Sequence, residues 1–388
     1  MRLALFGPAP PLRGGIVTAQ ANLFQTLSRR GHQLHWTGFK RQYPDFIFPG
    51  SSQEGSMAPW LDCPNERVFV PWDPFSWTRT ADNLLAFEPD GVIARWWIPF
   101  FAPGFRQVLS KVRGHTRVVW VLDNVVPHES YPLSTMLTRQ ALKQGHAFVA
   151  QSEQVRGELL DLLPDTPPEA IRLAPHPLYD YGAPDRSRPS MAEARRALDI
   201  PDQARVLLFF GFIKPYKGLN NLIDAAPRLR EHYGPDGVRI LVVGDVYGDR
   251  QPYLDRIADS GAADIIRFHA EYVADEEVEP WFVASDLVVL PYESATQSGI
   301  VQIAWNYDKP VVTTRVGGLP EVVDDGKTGF LVPPGDPEAL AKACCRFFDE
   351  QHASAMTAAV AQEKSKYSWD RQAEAIEDLV ASAIKGQP

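Results

Sequence analysis

The most constraining feature of the sequence is a repeated pattern of apolar runs, loops and helical segments between residues 207 and 334. Three of the runs are short and close together: Leu287–Leu290, Val311–Thr314 and Phe330–Val332. A loop rich in Gly, Pro, Ser and Thr follows each run, and a helical pattern follows the first two. Alternating buried strands and helices predict a parallel sheet, which binds ligands at the carboxyl ends of its strands.

The same alternation covers most of the chain and predicts an α/β protein with parallel sheets. The other predicted strands are Arg2–Phe6, Gln33–Thr37, Val68–Val70, Gly91–Trp96, Arg117–Leu122, Ala147–Ala150, Ile171–Ala174, Val206–Phe210, Arg239–Val243 and Ile265–Phe268. After Pro334 only helices are predicted, over Pro337–Glu350, Ser354–Lys364 and Trp369–Ile384.

The chain length predicts two domains. A chain of 388 residues exceeds one hydrophobic core and suits two domains of about 190 residues. Residues 181–201 contain three prolines and a short helical pattern but no strand, which is typical of a linker. We therefore predict domains over residues 1–180 and 202–366, with a last helix at 367–388.

Composition limits the class of protein and its compartment. The net charge of −9 argues against a general nucleic-acid binder, so an anionic ligand needs a local cluster of basic residues. Three cysteines form neither a disulfide framework nor a metal-ligand pattern, which indicates a reducing compartment. The N-terminal run is typical of a first strand and not of a signal peptide, and no window of about 18 apolar residues occurs. A cytoplasmic protein is expected.

Two loops carry the pattern of an anion site. Gly14 and Gly15 lie between the first strand and a helix over Val17–Arg30, where open backbone meets a helix N-terminus. A simple tight turn explains this glycine pair equally well. The motif GFIKPYKG places Lys214 and Lys217 after a buried strand, which suits a diphosphate. The alternative is an exposed basic loop.

Two later loops add candidate contacts. The attraction of an anion to a helix N-terminus contributes only about 0.3–1 kcal/mol, so Lys214 and Lys217 of the GFIKPYKG motif are what favour a diphosphate site. Ser298 and Gly299 begin another predicted helix, and Arg315 ends a nearby strand and could supply a third cation.

These motifs resemble those of a retaining glycosyltransferase of family 4. The matching segments are GFIKPYKG, LVVGD, ASDLVVLPYES, KPVVTTRVGGLPEVV and DGKTGFLVPPGDPEAL, which cover residues 206–340 in the order typical of that family. The N-terminal half resembles the family through the GG loop, DNVVPHE and FVAQS, and the C-terminus through YSWDRQAEAIEDL.

The resemblance implies the GT-B fold, with two facing Rossmann-like domains and a C-terminal helix that crosses back to the first. It implies transfer of a sugar from a nucleotide-diphosphate donor to a hydroxyl acceptor, a glycan or a lipid-linked glycan, with retention and no required metal or other cofactor. By motif position Lys217 corresponds to the diphosphate lysine and Gly15 to the glycine that faces the phosphates. His128 is the candidate for the histidine near the transferred sugar, with Asp123 and Asn124 as alternatives.

The sequence departs from the family pattern at the donor site. Phe212 stands where the family has arginine, and Lys214 could replace that charge. The paired glutamates of the family fall on Ala295 and Ile303. Glu293 and Gln297 are the polar neighbours that we expect to compensate, with Gln302 a further one.

Residues 95–117 combine five aromatic residues with Arg106, Lys111 and Arg113. The aromatic residues suit a hydrophobic core, an acceptor groove or contact with the inner face of a membrane.

Two alternatives to a transferase also remain: a GT-B epimerase or phosphorylase, and a non-catalytic binding module, which the missing glutamates favour.

Overall fold

The computed structural model describes residues 1–12, 14–44, 53–55, 59–125, 133–181 and 187–384. The chain divides into two compact units. The first comprises residues 1–177 together with 366–388, and the second comprises residues 178–365.

The first unit contains a seven-stranded sheet in the order β3-β2-β1-β4-β5-β6-β7, and every strand pair is parallel. The strands are β1 (Arg2–Phe6), β2 (Gln33–Phe39), β3 (Glu66–Phe69), β4 (Gly91–Trp96), β5 (Arg117–Leu122), β6 (Ala147–Ala150) and β7 (Ile171–Leu173). All seven agree with the predicted strands to within two residues at each end. They were predictable because strands buried on both faces are continuous apolar runs.

Helices cover both faces of this sheet. They are α1 (Gly15–Arg29), α2 (Pro74–Ala86), α3 (Ala102–Val112), α4 (Ser134–Leu142), α5 (Glu153–Leu162) and, last in the chain, α14 (Trp369–Ile384). Local sequence sets their starts: the side chain of Asp73 accepts a hydrogen bond from the Phe75 N–H at the start of α2, and Ser152 caps α5 in the same way.

Helix α14 belongs to the first unit, as expected for a C-terminal helix that crosses back to it. Gly91 begins β4 where a Cβ atom would lie only 2.6 Å from Val380 Cγ2, so the missing side chain lets the helix approach the sheet. Arg30, which follows the last residue of α1, donates hydrogen bonds of 2.7 and 2.8 Å to the carboxylate of Glu377. The helix is therefore held by both apolar and charged contacts.

The aromatic stretch at residues 95–117 lies mostly in the core of the first unit. Trp96, Phe101 and Phe105 are completely buried, and ring contacts link Phe105 to Phe6 at 4.8 Å and to Trp120 at 5.3 Å. Of the alternatives raised from the sequence, the core explains these three side chains.

The second unit contains a six-stranded parallel sheet in the order β10-β9-β8-β11-β12-β13. Its strands are β8 (Arg205–Phe210), β9 (Val238–Val243), β10 (Ile266–His269), β11 (Leu287–Leu290), β12 (Val311–Thr314) and β13 (Gly329–Val332). Its helices are α6 (Met191–Ala197), α7 (Leu219–Tyr233), α8 (Gln251–Asp259), α9 (Asp275–Ala284), α10 (Gly299–Asn306), α11 (Leu319–Val322), α12 (Pro337–Asp349) and α13 (His352–Glu363).

The stretch assigned to a linker contains α6, which is part of the second unit. Ser190 and Glu193 form a reciprocal capping box at its start. Arg195 lies 2.8 Å from the carboxylate of Asp286, which also accepts a hydrogen bond from the Val206 N–H. This ion pair fixes α6 at the amino ends of β8 and β11.

Candidate functional site

Strand order places one crevice at the centre of the second sheet. Chain order runs outward from β8 to β10 on one side and from β11 to β13 on the other. The loops after β8 and β11 therefore leave in opposite directions, and such reversal points bind ligands at the carboxyl ends of the strands. Most of the predicted donor-binding residues lie on these two loops and on the start of α10, while Arg315 follows β12 and the glycine pair lies in the first unit.

Backbone contacts join the two loops. Gly218 has a φ of +66°, and a Cβ atom there would lie 1.9 Å from the carbonyl oxygen of Pro291, so only glycine fits. The N–H of Glu293 donates a 2.8 Å hydrogen bond to the carbonyl oxygen of Tyr216. The structure thus brings Lys217 and the loop after β11 together.

Lys217 lies against aromatic rings. Its Nζ atom is 3.8 Å from the ring centre of Tyr292 and 5.4 Å from that of Tyr216. Burial of the ammonium lowers the pKa of Lys217 to about 8. No carboxylate pairs with it in the part of the chain that the structure describes, so its charge remains available to an anion.

Lys214 lies in a similar setting. Its Nζ atom is 4.3 Å from the ring centre of Tyr247. Hydrogen bonds from Ile213 N–H to the Asp245 carbonyl and from Tyr247 N–H to the Ile213 carbonyl hold the loops after β8 and β9 side by side. Among the described residues Lys214 also has no carboxylate partner. The loop therefore presents two cations, as predicted from the motif.

The start of α10 faces the same crevice. Ser298 precedes its first turn, and the Ser298 Oγ and Tyr292 hydroxyl oxygens are 3.1 Å apart. Gly299 packs against Tyr179, whose ring would lie 3.2 Å from a Cβ atom at that position. The first N–H groups of a helix have no partner within it and carry partial positive charge. Both predicted residues therefore lie where backbone donors can meet an anion.

The positions of the missing glutamates are apolar and buried. Ala295 and Ile303 are only 7% and 4% exposed, and both belong to the apolar interior. Glu293 is exposed and forms no ion pair among the described residues. The Nε2 atom of Gln297 is buried without a hydrogen-bond partner in the described structure, and so is the Oε1 atom of Gln302. Polar groups are therefore present near the two positions where the family has glutamates.

Arg315 is engaged elsewhere. Its guanidinium lies 2.5 Å from the carboxylate of Asp325, and both side chains are about half exposed. The adjacent Thr314 hydroxyl donates a 2.6 Å hydrogen bond to the carbonyl oxygen of Tyr292. The loop after β12 thus supports the site through Thr314, while the charge of Arg315 is already paired.

In the first unit, Gly14 and Gly15 form the start of α1. Gly14 has a φ of +119°, which favours glycine, and its carbonyl oxygen accepts hydrogen bonds from the N–H groups of Val17 and Thr18. A Cβ atom at either glycine would meet none of the described residues within 4 Å. The described residues therefore do not crowd the backbone at this helix start.

Asp123 and Asn124 follow β5, at the carboxyl edge of the first sheet. The Asp123 carboxylate accepts hydrogen bonds of 2.6 and 2.5 Å from the guanidinium of Arg95, which is almost completely buried. The Oδ1 atom of Asn124 is buried without a hydrogen-bond partner in the described structure. His128, the preferred catalytic candidate, lies outside the described residues, and its role stays a prediction.

Sequence analysis missed several polar residues at this edge. His176 is buried, and its pKa is lowered to about 4, mainly by burial and secondly by the nearby charge of Arg95. Gln151 follows β6, and neither atom of its buried amide has a partner among the described residues. Arg95 gave a signal in the sequence as a charged residue within an apolar strand, and Gln151 only as part of the FVAQS segment.

The described residues contain neither a metal-binding cluster nor a membrane-spanning helix. No group of three or more His, Cys, Asp or Glu side chains is placed to hold a metal ion. No helix within the described ranges has the length and hydropathy needed to cross a membrane.

Two family models match the chain. The model described as Glycosyltransferase Family 4 matches residues 13–178, and the one described as Glycosyl transferases group 1 matches residues 204–350. D-inositol 3-phosphate glycosyltransferase from Streptomyces griseus is 35% identical over 208 residues, which cover 52% of this chain and 44% of the relative. The enzyme of that name from Streptomyces scabiei is 31% identical over 259 residues, with 63% and 56% covered. The chain spans about half the length of these relatives.

Solved structures are similar in fold. Sucrose-phosphate synthase from Thermosynechococcus elongatus has a TM-score of 0.74 at 16% identity, with 100% of both chains covered. The Anabaena protein HepE in complex with UDP and glucose has a TM-score of 0.74 at 19% identity, with 98% of this chain and 100% of that chain covered. These likenesses show the GT-B fold. The two family matches follow each other along most of the chain, and they show that this chain belongs to family 4 of the glycosyltransferases.

Proposed function

We propose that the chain transfers a sugar from a nucleotide-diphosphate donor to a hydroxyl acceptor with retention of the anomeric configuration. The observation that carries this proposal is the pair Lys214 and Lys217, which present two cations without carboxylate partners in the described structure. They lie at the strand-order reversal, beside the start of α10. Two cations and a helix N-terminus suit the two negative groups of a diphosphate.

The same groups would favour departure of the nucleotide. The bond between the anomeric carbon and the diphosphate oxygen breaks, and its electron pair leaves on that oxygen. The acceptor oxygen bonds to the carbon, and its proton passes to the departing phosphate. Negative charge therefore grows on the diphosphate in the transition state, where Lys217 and the N–H groups of Ser298 and Gly299 would stabilise it. This charge compensation needs no metal ion, and undiminished turnover with a chelator present is expected.

The donor sugar would be held by polar groups other than the family glutamates. Ala295 and Ile303 offer no hydrogen bond to a hydroxyl group. The Nε2 atom of Gln297, which has no partner among the described residues, and the exposed carboxylate of Glu293 are the nearest alternatives along the loop. We assign sugar contacts to these two residues.

The acceptor is proposed to be a glycan or a lipid-linked glycan presented at a membrane surface. The support comes from an apolar surface at the start of α2, which we call the Trp72–Phe75 surface: Trp72 is 41% exposed and Phe75 is 81% exposed. Arg79 follows one turn later and is exposed, with its guanidinium 4.0 Å from the carboxylate of Asp73. Exposed aromatic residues next to a cation suit the interface of an anionic membrane.

Product analysis with a panel of nucleotide sugars tests the proposed activity. The panel should include UDP-glucose, because HepE was solved with UDP and glucose, and D-inositol 3-phosphate among the acceptors, because relatives carry that name. Release of nucleoside diphosphate that depends on an acceptor, with a product of retained configuration by NMR, supports the transferase. Conversion of the nucleotide sugar to its epimer would indicate an epimerase. Tight binding without any product would indicate a binding module, which the buried Ala295 and Ile303 favour.

A further inference from the structure

Both lysines of the diphosphate loop lie on tyrosine rings. The Nζ atom of Lys217 is 3.8 Å from the ring centre of Tyr292, and that of Lys214 is 4.3 Å from the ring centre of Tyr247. Many cations of the second unit pair with carboxylates, as Arg230 does with Asp264 at 2.8 Å. The two lysines belong instead to a smaller group held by aromatic rings, which also includes Arg205 over Tyr233.

Tyr292 is fixed at both of its polar ends. It is completely buried, its hydroxyl oxygen is 3.1 Å from Ser298 Oγ, and its carbonyl oxygen accepts a 2.6 Å hydrogen bond from the Thr314 hydroxyl. Its ring consequently forms a rigid bridge between Lys217 and the start of α10.

An aromatic ring holds a cation differently from a carboxylate. A carboxylate would neutralise the ammonium and compete with an anionic ligand for it. The negative face of an aromatic ring attracts the ammonium but carries no net charge. Lys217 can thus be held in one place while its whole charge still acts on a ligand.

We propose that Tyr292 is the positioning residue of the diphosphate site: its ring orients the Lys217 ammonium, and its hydroxyl fixes Ser298 at the start of α10. The Lys217 ammonium and the N-terminus of α10 can then both contact the same diphosphate. This role rests on the proposed donor function and adds to it a residue that touches no substrate. Tyr247 plays the corresponding part for Lys214.

Few ionisable groups act on Lys217. The phenols of Tyr216 and Tyr292 adjoin it, and Lys214 lies three residues before it on the same loop. The carboxylate of Glu293 belongs to the neighbouring loop and forms no ion pair among the described residues. Because burial brings the pKa of Lys217 to about 8, nucleotide affinity should fall as the pH rises above that value. The pH at the midpoint of this fall in affinity reports the protonation of Lys217.

The positioning role of Tyr292 is tested by calorimetry on the full chain. UDP, GDP and ADP are compared first, and the one that binds most tightly is used. Tyr292→Leu should weaken binding about 5- to 30-fold and move the midpoint to lower pH, because the protonated lysine loses its ring partner. Tyr292→Phe keeps the ring and should keep the midpoint and remain within about threefold of the wild-type affinity. Tyr253→Leu, the same change on α8 of the same unit, should alter neither.

A merely structural tyrosine would lower thermal stability without moving the midpoint, and that result overturns the proposal. If Tyr292→Leu does not fold, replacing the ring by pentafluorophenylalanine decides, because it has the shape of phenylalanine with the opposite charge distribution. The midpoint should then fall relative to Tyr292→Phe, and equal midpoints overturn the proposal. Loss of binding in Lys217→Ala with no effect of any Tyr292 change rejects the positioning role alone. If no nucleotide binds the wild type, the donor site is rejected as well.

Discussion

The carboxylate of Asp123 accepts two hydrogen bonds from the guanidinium of Arg95, at 2.6 and 2.5 Å, where β5 and β4 end side by side. Arg95 is almost completely buried, and Asp123 is its ion-pair partner. The carboxylate is therefore committed to holding the carboxyl edge of the first sheet. Of the two described residues proposed for catalysis, Asn124 is the more available to a substrate, because its Oδ1 atom has no hydrogen-bond partner among the described residues.

Removing the Asp123 carboxylate should destabilise the first unit. Asp123→Ala would leave the Arg95 charge buried without its partner, which typically costs about 3–5 kcal/mol. Urea unfolding followed by circular dichroism measures the free energy of unfolding. The matched control is Asp264→Ala, which breaks an exposed pair with Arg230 and should change stability little. Equal stability of the two variants would show that the Arg95 pair is dispensable.

His128 is predicted to face the transferred sugar. His128→Ala should lower turnover tenfold or more while the affinity for nucleoside diphosphate stays near the wild-type value, because the imidazole acts on the sugar and not on the phosphates. His115→Ala, an exposed histidine of the same unit, is the control. Unchanged turnover in His128→Ala would transfer the role to Asn124, whose own alanine variant should then show the loss.

The fold was largely predictable because most of its strands consist of consecutive apolar residues. Arg117–Leu122 and Leu287–Leu290 match the observed strands at both ends. Boundaries moved by a residue or two where polar residues extend a strand, as Glu66 does in β3. Helix α6 in residues 181–201 was recognised only as a short helical pattern, because its packing depends on the distant Asp286.

The candidate site was predictable only where one short segment contains it. Lys214 and Lys217 were identified as candidates from their spacing within the loop after β8. The role of Tyr292 was hidden, since it depends on contacts with Lys217 and Ser298 that only the folded sheet creates. The pairing of Arg315 with Asp325 was also invisible, and it removes a cation that the strand end had suggested.

Compensation for the missing glutamates predicts a specific pattern of activities. Glu293→Ala and Gln297→Ala should each reduce sugar transfer more than binding of free nucleoside diphosphate, because these residues are assigned to the sugar. Gln362→Ala, an exposed position on α13, should have no effect. Ala295→Glu should not raise activity, since Ala295 is buried among apolar neighbours. A large gain in Ala295→Glu, with both alanine variants like wild type, would contradict compensation.

Membrane contact through the Trp72–Phe75 surface predicts flotation with anionic vesicles. The double variant Trp72→Ser and Phe75→Ser should shift the protein from the vesicle fraction to the aqueous fraction, because aromatic side chains supply the interfacial burial. Leu254→Ser removes an exposed apolar side chain of the second unit and should leave flotation unchanged. Wild-type protein that stays in the aqueous fraction, with or without a lipid-linked acceptor, would reject the contact.

The most direct test of the account is the affinity of Lys217→Ala for nucleoside diphosphate, measured by calorimetry at pH 7. A charge-assisted contact with the diphosphate contributes about 1.5–3 kcal/mol, so binding should weaken about 10- to 150-fold. Lys342→Ala, which removes an exposed lysine that pairs with Glu338, should bind as the wild type does. Wild-type affinity in Lys217→Ala would contradict the diphosphate site and the proposed function built on it.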